Sequence, residues 1–582
     1  MPVLVDEAFN KWRYPDYALI ILEAPTGYGK TSSADKPYLM FKDCIVGGMI
    51  YVAPFRALVR QQARTWLPKY RGMGLSITYQ SMDIKMEIEI SGGEKVSLLK
   101  NPKLDSYINI STLDSFTYNL LRMPVGDLRK SRWYYPIYRR SIFTSYVFLD
   151  EAHILAEGSG PAFATLTLIV AELLRSFMPT VIATATLGNP RLEALLKVLE
   201  NYGFNDKVKI YRLGPQNEDK GKEVLIHDKE FEEWTSRLNW SLDKIDESTV
   251  LRKVNESVSS GDRVLILRNK VVDAVETYNA LVKEFGVDSV VLLHGKLDEH
   301  DRDINATRMS NAKIIIGTDA IGVGVNLPDI KTLVMDAPGQ VDVFIQRIGR
   351  ICRDRNVSED VTCKVYAIKS GDNVPDYYKD ALDNFDKINW RLPYDCDRCG
   401  KKGYLKGYLE LLNKFIDKPE IKYEVIDNIE SLLGHVVIDN NKLRNTFTNH
   451  CDLVRDSVLL RGFTNIDEND LEKSLTYSLP ISINDAREII RKAHDNIGLV
   501  ILKWDVDDGV ERLVNAEKKL REDIIKELAE EGNDCVKILE IDEKINKEVI
   551  NEMPKRVNVD KTVLIWGLDV SKLYRRGLGL VI

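Results

Sequence analysis

Residues 24–31, Ala-Pro-Thr-Gly-Tyr-Gly-Lys-Thr, constrain the fold of this chain more than any other stretch. They follow an apolar run at 17–22, YALIIL, which reads as a buried strand. The residues after Thr31 can start a helix. A strand, a glycine-bearing turn, Lys-Thr and a helix form the context that a phosphate-binding loop needs. Gly27 and Gly29 let backbone N–H groups curl around phosphates. Lys30 can reach the outer phosphates, and the Thr31 hydroxyl can ligate Mg²⁺. Ala24, Pro25, Thr26 and Tyr28 complete this candidate loop, with Ala24 standing where the general pattern opens on glycine. Read alone, the stretch also fits a glycine turn with a chance Lys-Thr pair.

With 582 residues, 44% hydrophobic and 29% charged, the chain has room for several domains with their own cores. No apolar run approaches the ~20 residues of a membrane span. The N-terminal MPVLVDEAFNKWRY lacks the basic flank and apolar core of a signal peptide. Both point to an intracellular, cytoplasmic protein. Seven cysteines in a chain this long do not suggest a disulfide framework. A net charge of −7 argues against coating nucleic acid by bulk charge, but a local basic groove stays open.

Past the loop, residues 48–52 (GMIYV) read as a strand running into Ala53-Pro54-Phe55-Arg56-Ala57-Leu58. Arg56, between a strand end and a helix, suits a phosphate contact or a solvated surface position. Residues 107–111 (YINIS) are a strand followed by Thr112-Leu113-Asp114-Ser115 and a helix. Residues 121–140 carry Arg122, Arg129, Lys130, Arg132, Arg139 and Arg140 against Asp127, with Trp133, Tyr134, Tyr135 and Tyr138 interleaved. That mixture suits a single nucleic-acid strand held by charge and stacking, or an amphipathic element with its aromatics inside.

The strand at 146–149 (YVFL) delivers Asp150-Glu151-Ala152-His153. An Asp at a buried strand end is where such a fold holds Mg²⁺. Glu151 beside it can orient and deprotonate a water. The strand at 181–183 ends in Thr184-Ala185-Thr186. These hydroxyls can bond the acidic pair and relay the state of the phosphate site, or Thr186 can be a plain N-cap. Alternating strands and helices to about residue 214 describe one parallel α/β domain.

Residues 217–222 read as a polar linker into a second α/β pattern. It runs through strands at 264–267, 290–293, 313–316 and 332–335. It carries Gly317-Thr318-Asp319 and Gly322, and closes on Gln346-Arg347-Ile348-Gly349-Arg350-Ile351-Cys352-Arg353. At helical spacing, Gln346, Arg350 and Arg353 share one face. Such a face suits a transferring phosphoryl group, with the two arginines as arginine fingers.

Taken in order, APTGYGKT, APFRAL, STLDS, DEAH, TAT, GTDAIGVGVNLP and QRIGRICR resemble the superfamily 2 helicases over about residues 17–366. The resemblance implies two tandem RecA-like α/β domains with ATP in the cleft. Arg350 and Arg353 would reach from the second domain to phosphates held by Lys30. Asp319 and Gly322 would lie near the nucleic-acid track and are also candidates for the nucleotide site. Arg56, Thr112, Asp114, Arg139, Arg140 and Thr318 would lie along the nucleic-acid track. The wording is similar to the CRISPR-associated helicases of type I systems, on APTGYGKT, APFRALVRQQ, TLDS ahead of DEAH, and the tail LYRRGLGL.

Two departures stand out. The His300-Asp301 pair lies inside the helicase core beside Arg302, without a histidine cluster, so a built-in nuclease is not expected and cleavage falls to a separate partner. A glutamine upstream of the loop to read adenine is not evident in Trp12-Arg13-Tyr14-Pro15, which leaves Tyr14 to stack on the base.

Beyond residue 369 these motifs stop. Cys396 and Cys399 form half of a zinc ribbon, with His435, His450, Cys451 and Cys535 as candidates for the other half; structural zinc, a disulfide and free thiols all stay open. Residues 483–553 favour helix. The domains read as 1–215, 216–370 and a mainly helical accessory domain at 371–582, which clamps nucleic acid, docks a partner or is a plain bundle.

The expected activity is a Mg²⁺–ATP-driven helicase or translocase. By resemblance it acts on DNA with 3′→5′ polarity, in CRISPR interference beside a separate nuclease. The alternatives are a replication or repair helicase of an archaeal virus or host, and an ATP-gated nucleoprotein clamp.

Overall fold

A computed structural model describes residues 2–81, 86–89, 94–121, 141–156, 161–319, 327, 329–356, 359–369, 375–397, 399, 403–433, 459–465, 476–493, 497–507, 510–519, 521–552 and 562–581. Arg139, Arg140, Gly322 and the basic, aromatic stretch from 122 onward lie outside the described residues.

The first half builds an eleven-stranded sheet. Its centre is parallel, with Leu19–Glu23 between Val208–Leu213 and Thr180–Thr184, then Ser145–Asp150, Gly48–Ala53 and Ile108–Thr112. These strands are buried on both faces, which is why they read as unbroken apolar runs. In a parallel sheet all strand ends point one way. The phosphate-loop candidate, Arg56, Thr112, Asp150 and Thr184 therefore gather at one edge.

Strands Glu218–Asp219 and Glu223–Ile226 extend this sheet beyond residue 215. Residues 217–222, expected as a linker, are its antiparallel edge. Both residues of the edge strand Glu218–Asp219 are exposed, so the stretch is polar, while Val224 and Ile226 of the strand beside it are buried.

The second sheet is six-stranded and parallel, in the order Leu238–Ile245, Val361–Ile368, Ile330–Asp336, Arg263–Leu267, Ile314–Gly317, Val290–Leu293. The two α/β units meet at a buried ion pair, Arg191 Nη1 to Asp342 Oδ2 at 2.8 Å. Removing one partner of such a pair costs about 3–5 kcal/mol, because it strands the other charge.

The last third bears helices at Ile483–Ala493, Glu522–Ala529 and Asp534–Glu552, as expected. Residues 499–519 depart from that expectation. Leu499–Asp507 and Val510–Lys519 pair antiparallel within a five-stranded sheet. The sequence joining them is Asp508-Gly509, a preferred hairpin dipeptide, and LVIL is β-prone.

The C-terminal tail docks on the second α/β unit. The Tyr574 hydroxyl donates to Asp301 Oδ2 at 2.9 Å, and His294 Nε2 faces the Leu578 carbonyl at 3.0 Å. The Lys296 amide donates to His294 Nδ1 at 3.2 Å, so the ring is a neutral imidazole with its proton on Nε2. Burial pushes its pKa down to about 4. The unfolded chain therefore takes up this proton first on acidification. The stability is present above about pH 6.5 and is lost as pH falls towards 4. Urea unfolding should show a loss of about 2 kcal/mol between pH 7 and pH 5, absent in His294→Gln. An equal loss in both proteins would refute this.

Among the described residues no helix is long and apolar enough to cross a membrane.

Candidate functional site

The loop between Leu19–Glu23 and the 3₁₀ turn Thr31–Ser33 forms one wall of the site. Gly27 has φ of +74°, which side chains resist, and a Cβ there would lie 3.6 Å from Arg353 Nε. Lys30 is buried, and its ammonium donates to the carbonyls of Ala24 at 2.5 Å and Pro25 at 3.0 Å. Burial pulls its pKa down, while Glu151 and Asp150 counter that.

Thr31 Oγ1 and the Tyr51 hydroxyl both donate to Asp150 Oδ2, at 2.8 and 2.6 Å. Asp150 Oδ1 is buried with no hydrogen-bond partner. Burial and the neighbouring Glu151 push the Asp150 carboxyl up to about 6. Such an orphaned carboxylate oxygen beside a threonine hydroxyl fits a hard divalent cation. Glu151 has φ of +50°. Its Oε2 makes no hydrogen bond and lies 3.3 Å from His153 Nδ1.

The second wall comes from residues 346–355. They were expected to place Gln346, Arg350 and Arg353 on one helical face. The helix Val341–Ile348 instead ends before the arginines, which lie in the turn that follows. Gly349 caps that helix, and Cys352 has φ of +53°. A Cβ on Gly349 would come 2.3 Å from Thr26 Oγ1, so glycine admits the first wall at this point. Thr26 Oγ1 donates to the Gly349 carbonyl at 3.2 Å.

Arg350 is buried and Arg353 is partly buried. Burial draws Arg350 down to about 10, and burial with Arg350 and Arg391 lowers Arg353 further. Gln346 faces elsewhere. Its amide nitrogen sits 2.6 Å from His153 Nε2 and donates to Thr186 Oγ1 at 2.9 Å. His153 Nδ1 in turn meets Thr184 Oγ1 at 3.0 Å. The Thr-Ala-Thr hydroxyls thus bond His153 and Gln346 in place of the acidic pair. Thr186 is not a cap, since Leu187 precedes the helix Gly188–Asn201. His153, held neutral by burial, is a site residue that the sequence reading passed over, although it stands inside DEAH.

Other expected residues sit apart from the phosphate loop. Asp319 takes a two-point ion pair from Arg347, at 2.7 and 2.9 Å, so it orders the second wall. Tyr28 turns its ring into the core and donates to Asp228 Oδ2 at 2.6 Å. Tyr14 donates to the Phe177 carbonyl and packs on Phe41. Phe177 precedes the start of Thr180–Thr184, roughly 17 Å of strand from the loop end, so Tyr14 cannot stack on a base there.

Arg56 Nη1 lies 3.6 Å from Glu299 Oε1 of the second unit. Thr112 caps the helix Leu113–Leu120 and bonds Ser115 Oγ at 3.1 Å. Asp114 lies in that helix's first turn, and Thr318 follows the strand Ile314–Gly317. Arg56, Thr112 and Asp114 lie at the strand ends of the first sheet, and Thr318 lies at a strand end of the second.

The cysteines need correction. Cys352 pairs with Cys363 and Cys396 with Cys399, two disulfides among the described residues. Eleven residues separate the first pair, but strand Val361–Ile368 returns beside the arginine turn and brings the Cα atoms to 6.1 Å. Glu232 joins Cys396 and Cys399, with ligand atoms all within 4.8 Å. The sequence also carries His227-Asp228 and His494-Asp495 besides His300-Asp301, the last of which packs His300 on Tyr477. Among the described residues no His-Asp pair gathers further metal ligands.

A DEAD/DEAH box helicase family model matches residues 7–195, and a helicase conserved C-terminal domain model matches 246–355. A CRISPR-associated helicase Cas3 of Thermoproteus tenax is 23% identical over 359 residues, 59% of this chain and 55% of that protein. An ATP-dependent RNA helicase DDX42 of Gallus gallus is 31% identical over 144 residues, 24% of this chain and 14% of that one. The crystal structure of T. fusca Cas3 superposes with a TM-score of 0.53 at 14% identity, covering 83% of this chain and 65% of that one. This likeness shows the fold, two RecA-like domains. The chain spans only about half the length of the Thermoproteus relative. With both walls of the cleft matched in order, the chain belongs to the superfamily 2 helicases.

Proposed function

We propose that this protein is an ATP-dependent nucleic-acid helicase or translocase. The observation that carries it is the facing of the two walls. Lys30, Thr31, Asp150 and Glu151 of the first unit lie opposite Arg350 and Arg353 of the second, with Arg353 against Gly27. The first domain ends after Ile226 in this reading, where the first sheet ends.

Thr31 and Asp150 would hold Mg²⁺, which supplies charge neutralisation on phosphate oxygens. Lys30 leaves its two carbonyls to bind phosphate. Glu151 Oε2 orients the attacking water and takes its proton. Arg350 and Arg353 stabilise the charge that builds on the transferred group. Catalysis is then mainly placement and fixed charge, so domain closure controls it. Gln346, through His153 and Thr186, reports that closure to the first sheet.

DNA as the track and 3′→5′ movement are our reading, supported by the similarity to Cas3 proteins. So are a cytoplasmic setting and a separate nuclease partner. Arg56, Thr112, Asp114 and Thr318 are our candidates for the track. Zinc at Cys396 and Cys399 is not carried by the geometry: the two sulfurs are bonded to each other, and among the described residues only Glu232 joins them, three donors where a closed tetrahedral set takes four; His435, His450 and Cys451 lie outside the described residues.

ATP hydrolysis measured with and without single-stranded DNA, single-stranded RNA and duplex, with Lys30→Ala as control, tests the reading. Strand displacement on 3′- and 5′-tailed duplexes sets polarity. Stimulation only by a nucleic acid is expected. No stimulation by any of them would overturn the proposal, and turnover without strand displacement would identify a clamp.

A further inference from the structure

The strongest unexplained feature at the cleft is Arg391. It lies beyond residue 355, outside both matched helicase domains. It follows the short strand Ile388–Asn389, and its amide donates to Asn389 Oδ1 at 3.0 Å. Trp390 beside it is buried, packed on Phe344 and Phe385, with its indole N–H on the Phe385 carbonyl. The backbone that delivers Arg391 is therefore rigid.

Arg391 is 1% exposed. Its Nη1 donates to the Thr26 carbonyl at 3.0 Å, and its Nη2 donates to the Ile351 carbonyl. One carbonyl belongs to the phosphate loop and the other to the turn between Arg350 and Arg353. Arg391 Nε is buried without a partner. Among the described residues no carboxylate pairs with this cation. Arg350 and Arg355 crowd it with like charge, and with burial dominant its pKa falls to about 9.

A buried cation that gathers cations and no anion is costly by itself. It becomes favourable when an anion enters the same cleft. Its two bonds also have a directional consequence. In a trans peptide, C=O and the following N–H point opposite ways. Fixing the Thr26 carbonyl towards Arg391 aims the Gly27 N–H away from it, along the phosphate loop. Fixing the Ile351 carbonyl aims the Cys352 N–H the other way, where it donates to the Ile330 carbonyl at 2.7 Å.

We propose that Arg391 is a positioning residue of the nucleotide site, a strap that ties the phosphate loop to the arginine turn across the two domains. It rests on the ATP-dependent reading above. The same segment continues to Tyr408, whose hydroxyl donates to the Ala185 carbonyl at 3.2 Å. Through it the C-terminal region is coupled to hydrolysis.

The test compares wild type with Arg391→Ala, Arg391→Lys and Arg391→Gln in the full chain. Steady-state hydrolysis gives kcat and KM. The rise in melting temperature caused by a non-hydrolysable ATP analogue gives a readout free of turnover. Arg391→Ala should lower kcat on the order of 10²-fold, as a misplacement of about 1 Å does, and shrink the analogue's thermal shift. Lysine should restore little, because one ammonium cannot span both carbonyls. Added guanidinium ion should recover part of the alanine variant's rate and none of the wild type's.

If Arg391→Ala fails to fold, the lysine and glutamine variants decide. Wild-type kcat and thermal shift in any folded variant would overturn the strap. A wild type that neither hydrolyses ATP nor responds to the analogue would instead overturn the ATP-dependent reading, and the strap with it.

Discussion

Replacing Arg353 with alanine is expected to lower the maximal rate of ATP hydrolysis by about 10³-fold or more, with a much smaller change in nucleotide affinity. The asymmetry follows from where Arg353 sits. It belongs to the second domain, yet its Nε lies over Gly27 of the first, 3.6 Å from where a Cβ would be. Its Nε donates to the Gly349 carbonyl at 2.8 Å. In the proposed reaction, ground-state binding would draw mostly on Lys30 and the loop amides, and Arg353 would act where charge accumulates late. Arg353→Lys should recover little, because an ammonium offers neither the planar fork nor its reach. Steady-state rates with single-turnover checks measure the effect. A loss of less than tenfold would remove Arg353 from the transition-state machinery.

Glu151→Gln is expected to reduce the hydrolytic step by about 10²–10⁴-fold while nucleotide and nucleic acid still bind. Glutamine keeps the shape of the side chain and removes the proton acceptor. Glu151 suits that part because its Oε2 is buried with no hydrogen bond to quench it. Asp150 differs, with Tyr51 and Thr31 both donating to one of its oxygens. The two adjacent acids thus differ in environment, which in the proposed reaction would leave Asp150 as the cation ligand and Glu151 as the proton acceptor. The left-handed backbone at Glu151, φ +50°, turns it off the strand line that Asp150 continues. A single-turnover rate within tenfold of wild type would exclude Glu151 as the base.

Much of this was legible in the chain. Strands buried on both faces are continuous apolar runs, so the central strands of both sheets could be placed from local pattern, while Val208–Leu213, Leu238–Ile245 and Val361–Ile368 were not. Each strand ends on the residues that do chemistry, because a parallel sheet delivers its C-terminal ends to one edge. Order and spacing therefore singled out Lys30, Thr31, Asp150, Glu151, Arg350 and Arg353, which the fold brings to one cleft. Where local pattern misled, the cause is equally specific. Helical spacing put Gln346 with the arginines, but Gly349 ends the helix and the left-handed Cys352 redirects the turn. Polarity read residues 217–222 as linker, while pairing of Glu218–Asp219 with the neighbouring strand Glu223–Ile226 made them an edge. Helix propensity over 499–519 lost to cross-strand pairing.

What the amino-acid sequence determined by itself is the two α/β units, their motifs and the class of chemistry. What only the tertiary structure decided is which residues meet across the cleft. Thr26 on Gly349, Arg191 on Asp342, Gln346 on His153, Arg347 on Asp319 and Arg391 on Thr26 and Ile351 join residues up to 365 positions apart. No periodicity encodes such pairs. They depend on the approach of two rigid sheets, and a side chain's partner is set by that approach and by what burial leaves it to bond.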